Sequence, residues 1–127
     1  MTLAYWCVVL AMFLPWLCAY YSKKVGGFSS NDNHNPRDFL NGVQGEAKRA
    51  NAAQQNSFEI FPVFAAEVLI AHATGEASQT AINFWASLFV LSRLLYIVLY
   101  IKDMPSFRSL SWCAGLVCIL ALFIAAI

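Results

Sequence analysis

Charge is scarce in this chain. Only 12% of its 127 residues are Asp, Glu, Lys or Arg, about half the share in an ordinary soluble domain, while 60% are hydrophobic. The eight basic and seven acidic groups leave a net charge of +1, so the chain lacks the basic surface that nucleic-acid binding requires. Glycine-rich phosphate loops are missing as well. Ser57, Ser92 and Ser109 have no histidine nearby in sequence, which leaves no basis for a serine triad. The two histidines, His34 in a connection and His72 near the opposite membrane face, are too far apart to share a metal, and no metal site is expected. Cys7, Cys18, Cys113 and Cys118 sit in apolar runs at spacings that match no zinc or redox motif, and read as small buried hydrophobes.

What remains is a set of long apolar runs. Leu3 to Tyr21 and Ser109 to Ile127 carry no charge, Ala81 to Ile101 carries only Arg93, and Ser57 to Thr74 is apolar apart from Glu59, Glu67 and His72. A membrane span needs roughly 20 such residues. The expected fold is therefore an all-α integral membrane protein, one domain over 1–127, with antiparallel spans at about 2–21, 46–74, 80–102 and 108–127. The connection 22–45 is dense in Gly, Ser, Asn, Asp and Pro and is expected to be a loop. Pro15 should bend the first span, and "DMPS" should break the chain between the last two.

The few charges orient the bundle. Lys23, Lys24, Arg37, Lys48, Arg49, Lys102 and Arg108 fall in or beside two connections, whereas the loop between spans two and three holds only Glu76. The positive-inside rule places the basic connections in the cytoplasm and both termini outside. The first run has no basic n-region and no small-x-small site and ends in two lysines, so it reads as an anchor and not as a cleaved signal. Short loops and small size are expected of a bacterial inner-membrane protein.

Polar groups enter the bilayer in "RANAAQQNSFEIFPVFAAEV" on span two. At 100° per residue Arg49, Asn56 and Glu67 fall within about 20° of one another, with Glu59 about 60° to one side, so they form a stripe that must face protein or water. On span three Arg93, Tyr96 and Tyr100 share a side. A charged group in lipid costs several kcal/mol, and Arg93, about 12 Å deep, is expected to pair with Glu67 or, reaching back, with Glu59. With Arg108, Gln54 and Gln55, these groups suit a ligand bearing carboxylates, amides and an ammonium. Guanidinium recognises carboxylate, Asn and Gln recognise peptide groups, and Glu recognises the ammonium. The alternative for Arg93 and its partner is a structural ion pair that fixes helix register.

Four spans in this length, with "NSFEIFP" on span two, "SRLLYIVLYI" on span three and "FRSLSW" opening span four, resemble the MAPEG superfamily of membrane-associated proteins in eicosanoid and glutathione metabolism. The resemblance covers nearly the whole chain. It implies a homotrimer in which glutathione, a cosubstrate, lies between subunits near the cytoplasmic face. Asn56, Glu59, Arg93, Tyr96 and Tyr100 match glutathione-contacting positions, Arg49 stands in for the span-two arginine, and Arg108 resembles the arginine that stabilises the glutathione thiolate. The implied activity is a membrane-bound transferase or peroxidase acting on lipophilic electrophiles or hydroperoxides that arrive through the lipid. One departure bears on turnover. The family's glutathione users place the span-two arginine four residues before the asparagine, where this chain has Ala52; Arg49 stands seven before. A similarly stretched spacing occurs in a lipid-binding member of the family that is not regarded as a catalyst. The alternatives are thus a non-catalytic trimer that binds lipid or a partner protein, and a small transporter or channel subunit. The last has no continuous polar path to support it.

Overall fold

The computed structural model describes residues 1–127, and every regular element in it is helical. Four helices are long and apolar enough to cross a membrane: α1 (Leu3–Gly26), α3 (Gly45–Thr74), α4 (Gln79–Ile101) and α5 (Pro105–Ala125). They run alternately up and down. One end of the bundle, the loop end, carries the α1–α3 connection and the α4–α5 turn; the far end carries both termini and the α3–α4 turn.

Local chemistry sets the helix ends. Thr2 caps α1 by accepting a hydrogen bond from Tyr5 N, and Ser78 caps α4 by accepting from Ala81 N at 3.2 Å. Helix α1 reaches Gly26, past the expected end at 21, and stops where Gly27 takes a left-handed conformation (φ 78°) and returns its N–H to the Lys23 carbonyl. The connection is more ordered than turn chemistry suggested. It holds a short 3-10 turn at Asn31–His34 and a two-turn helix, α2 (Pro36–Gly42), which begins with proline in its first turn and Asn35 as its cap. The α4–α5 turn is closed by Asp103, a non-glycine residue at φ 57°, with Asp103 N bonded to Tyr100 O and Met104 N to Leu99 O. These two bonds satisfy carbonyls that the end of α4 would otherwise leave open.

Packing is uneven around the bundle. The closest neighbours are α1 with α3 and α4 with α5; α3 and α4 meet across the middle, with α1 and α5 on opposite flanks. Small residues on α1, Ala4, Cys7 and Ala11, let α3 and α4 approach, and Phe64 stacks on Phe89 at 3.9 Å between ring centroids. Only 30 of the 127 residues are buried, and large side chains such as Leu91, Leu110 and Ile124 point outward. An apolar exterior of this extent is suited to lipid or to further membrane helices, not to water. Pro15 is buried within α1, and the helix continues through it as one element.

Candidate functional site

The sequence expectation that Arg93 pairs with a carboxylate is corrected by the structure. Arg93 is buried, with 2% of its surface exposed, and its Nη2 donates to Asn56 Oδ1 at 2.9 Å and to Ser57 Oγ at 3.4 Å. Asn56 in turn donates through Nδ2 to Glu59 Oε2 at 3.3 Å. The carboxylate is reached through an amide relay. The physical reason is desolvation. A second buried charge would have to leave water, whereas a neutral amide oxygen costs less to bury and Glu59 stays exposed. Glu67 is not brought to Arg93, and its Oε2 is buried without a hydrogen-bond partner in this chain.

The remaining predicted groups line up along the loop end of α4. The Arg93 guanidinium lies over the Tyr96 ring at 4.0 Å, Tyr96 meets Tyr100 edge to face at 5.6 Å, and Arg108 from α5 lies over the Tyr100 ring at 4.4 Å. Two cations are thus spaced by two phenols, each ring face opposite a positive charge. Tyr96 is buried, while Tyr100 and Arg108 are half-buried. Arg49 departs from this cluster. Its Nε donates to the Ile101 carbonyl at 2.9 Å, so it caps the C-terminal end of α4.

Sequence reasoning missed two residues. Ser57 is buried, donates to the Ala53 carbonyl at 2.8 Å, and still accepts from Arg93. Gly115 on α5 is the other. A Cβ there would stand 3.1 Å from Ser92 Oγ, 3.7 Å from the Phe89 ring and 3.8 Å from Arg93 Cδ, so glycine lets α5 approach closely to α4 at Ser92, the residue beside Arg93. Ser111 completes that contact by donating to the Ser92 carbonyl at 2.7 Å. A serine in an apolar helix and a glycine at a close approach are both common features, and neither stands out without the fold.

Two clefts flank the cluster. One, of about 260 Å³, lies between α2 and α3 and is lined by Arg37, Asn41, Asn51, Gln54 and Gln55 together with apolar carbons. The other, of about 470 Å³, lies between α4 and α5 and is almost wholly apolar, with Leu91, Leu95, Leu99, Met104 and Phe107 on its walls.

A model of the MAPEG family matches residues 3–127, essentially the whole chain. The chain belongs to the MAPEG family. No curated protein matches it. It is therefore an integral membrane protein of this family, and the polar cluster on α3 and α4 falls inside the matched region.

A second polar cluster in this MAPEG protein lies at the far end. His72 Nδ1 is 2.7 Å from the Val68 carbonyl, which can only accept, so Nδ1 carries the proton and Nε2 is the acceptor. The single lone pair of Nε2 is shared between the Thr2 hydroxyl at 3.1 Å and the Gln79 amide at 3.3 Å. Gln79 also donates to Asn83 Oδ1, which accepts Ala4 N at 3.0 Å, and the His72 ring stacks on Tyr5. These contacts tie the ends of α1, α3 and α4 together, and each is made within the chain.

Proposed function

We propose that the protein binds glutathione at the loop-end cluster and acts as a membrane-bound transferase or peroxidase on lipophilic electrophiles or hydroperoxides. One observation carries this reading. A buried arginine whose Nη2 is held by Asn56 and Ser57 is linked through Asn56 to an exposed carboxylate, and through Tyr96 and Tyr100 to a second, half-buried arginine. Structural ion pairs satisfy themselves internally; this group leaves Glu59, Tyr100 and Arg108 open to a ligand.

The chemistry assigns each residue a part. Arg93 meets a glutathione carboxylate with Nη1, since Nη2 is the nitrogen engaged by Asn56 and Ser57. Glu59 meets the ammonium, and Asn56, bonded to both Arg93 and Glu59, keeps the two charges in fixed register. Arg108 holds positive charge near the thiol, which lowers its pKa from about 8.5 and populates the thiolate at neutral pH. The apolar cleft whose walls include Met104 and Phe107, close to Arg108 in the chain, suits a lipophilic second substrate approaching from the bilayer. In this reading neighbouring copies of the chain, as a homotrimer, enclose the ligand. The Gln54 and Gln55 face, which opens on the polar cleft beside α2, is suited to contact with a neighbouring copy.

The test is calorimetric titration of the purified protein with glutathione, together with thiolate absorbance and turnover of a chloronitrobenzene or a lipid hydroperoxide. Binding, a thiolate signal and turnover are expected, with the thiolate signal reduced in Arg108→Ala. Absence of all three in the intact protein would overturn the reading.

A second reading is favoured by the placement of Arg49. Its Nε is engaged by the Ile101 carbonyl, and Ala52 supplies no guanidinium one turn later. A non-catalytic trimer that binds lipid or a partner protein in its interhelical clefts is the alternative, and binding of a lipophilic ligand without glutathione dependence would select it.

A further inference from the structure

We propose that one water molecule is bound in the membrane interior where α1, α3 and α4 meet, held by the Arg93 Nε–H, the Ser57 hydroxyl and the carbonyl of Ala11. Three independent features converge there. Arg93 Nε is buried with no hydrogen-bond partner in the protein, although it is a donor on a charged group and the most costly kind to leave unsatisfied. On the facing helix Pro15 has no N–H, so the Ala11 carbonyl, four residues earlier, lacks the donor that a regular helix would give it. Between them lies a gap of about 10 Å³, lined by Ala11, Leu14, Ser57, Phe61, Phe89 and Arg93, which is about one water in size.

The hydrogen-bond count closes around one water. Ser57 Oγ spends its proton on the Ala53 carbonyl and accepts from Arg93 Nη2, which leaves it one lone pair. The bound water accepts from Arg93 Nε and donates its two protons to Ser57 Oγ and Ala11 O. Each orphaned group is then satisfied, and the site has the three polar partners that a buried water typically makes. The water solvates the inner edge of the guanidinium inside the bilayer, where no carboxylate does so, and it is independent of any ligand at the outer edge. Pro15 acquires a role other than bending: it frees an acceptor for a charge on a neighbouring helix.

The experiment uses the intact protein in lipid nanodiscs with 15N-labelled arginine, the Arg93 ε resonance being assigned from its disappearance in Arg93→Lys. A direct nuclear Overhauser cross-peak between the Arg93 ε proton and water is expected in the wild type. Pro15→Ala restores the N–H to Ala11 and removes one acceptor, so the cross-peak should weaken at least twofold. Ala11→Val fills the gap and should abolish it, with an unchanged Asn56 side-chain amide resonance, read in a sample also 15N-labelled at asparagine, showing that the fold persists. A wild-type ε proton without a water cross-peak overturns the proposal, as does a high-resolution structure in which Nε donates directly to the Ala11 carbonyl. Neither outcome depends on whether glutathione binds.

Discussion

The two ends of the bundle carry similar polar chemistry in different states of completion. At the far end His72, Thr2, Gln79 and Asn83 satisfy one another and three backbone groups, linking three helices at their tips. At the loop end Arg93, Asn56, Glu59, Tyr100 and Arg108 form a line of groups with bonding capacity left over. A closed network stabilises a fold, whereas an open one has donors and acceptors left over, and these are the groups on which the proposed glutathione site draws. The difference lies in the unmet valence, since both clusters contain a titratable ring or a charge.

The most severe way to break this contrast is Arg93→Met. Removing one partner of a buried charged contact costs binding about 2–5 kcal/mol, so under the proposed function glutathione affinity measured by calorimetry should collapse. Replacing a buried charge with an apolar side chain of similar length is often neutral or stabilising, so the thermal midpoint should hold or rise. Loss of folding in this variant would mean that the loop-end cluster is structural after all. The mirror experiment is His72→Phe, which keeps the stack on Tyr5 and deletes hydrogen bonds to three partners. About 2 kcal/mol of stability should be lost, with glutathione affinity unchanged.

Smaller effects sharpen the comparison. Gly115→Ala puts a Cβ 3.1 Å from Ser92 Oγ, and should cost about 1 kcal/mol in unfolding measurements by crowding the α4–α5 contact at Ser92. Asp103→Gly relieves a left-handed backbone in the α4–α5 turn and should stabilise by up to about 1 kcal/mol without touching either cluster. The weakest effect is expected in the connection. The Asp32 carboxylate accepts from Ser29 N at 2.8 Å and from its hydroxyl at 2.7 Å, and these bonds hold its pKa below the usual carboxylate value. A depressed folded-state pKa means that the turn's extra stability is present above the unfolded value and fades as pH falls through the folded one. Amide exchange at Ser29 should therefore quicken only under strong acid, and Asp32→Asn should abolish that dependence.

The helices were legible because run length and the absence of charge leave few alternatives in a bilayer, and α3 and α4 lie close to where the apolar runs place them. The order within the connection was not legible, because α2 is too short to show a period and depends on Pro36 and Asn35 at its start. Helical spacing set Asn56 and Glu59 on one face of α3 and Arg93, Tyr96 and Tyr100 on one face of α4, and the family resemblance joined Arg108 to them. The partner of Arg93 was not legible, because spacing reports which face a residue occupies and not which acceptor is cheapest to desolvate. Arg49 shows the same limit. Its face was read correctly, yet the carbonyl it caps belongs to the end of another helix.

The uneven packing of the bundle bears on how the chain is made. Helices α1 and α3 form one antiparallel pair and α4 and α5 the other, and each pair joins neighbours in the chain. Synthesis from the N-terminus delivers Asn56 and Ser57 to the membrane with the first pair, before Arg93 enters with the second. The acceptors are waiting when the charge arrives. Docking of the two pairs is then the step that brings the Arg93 guanidinium to Asn56 and Ser57.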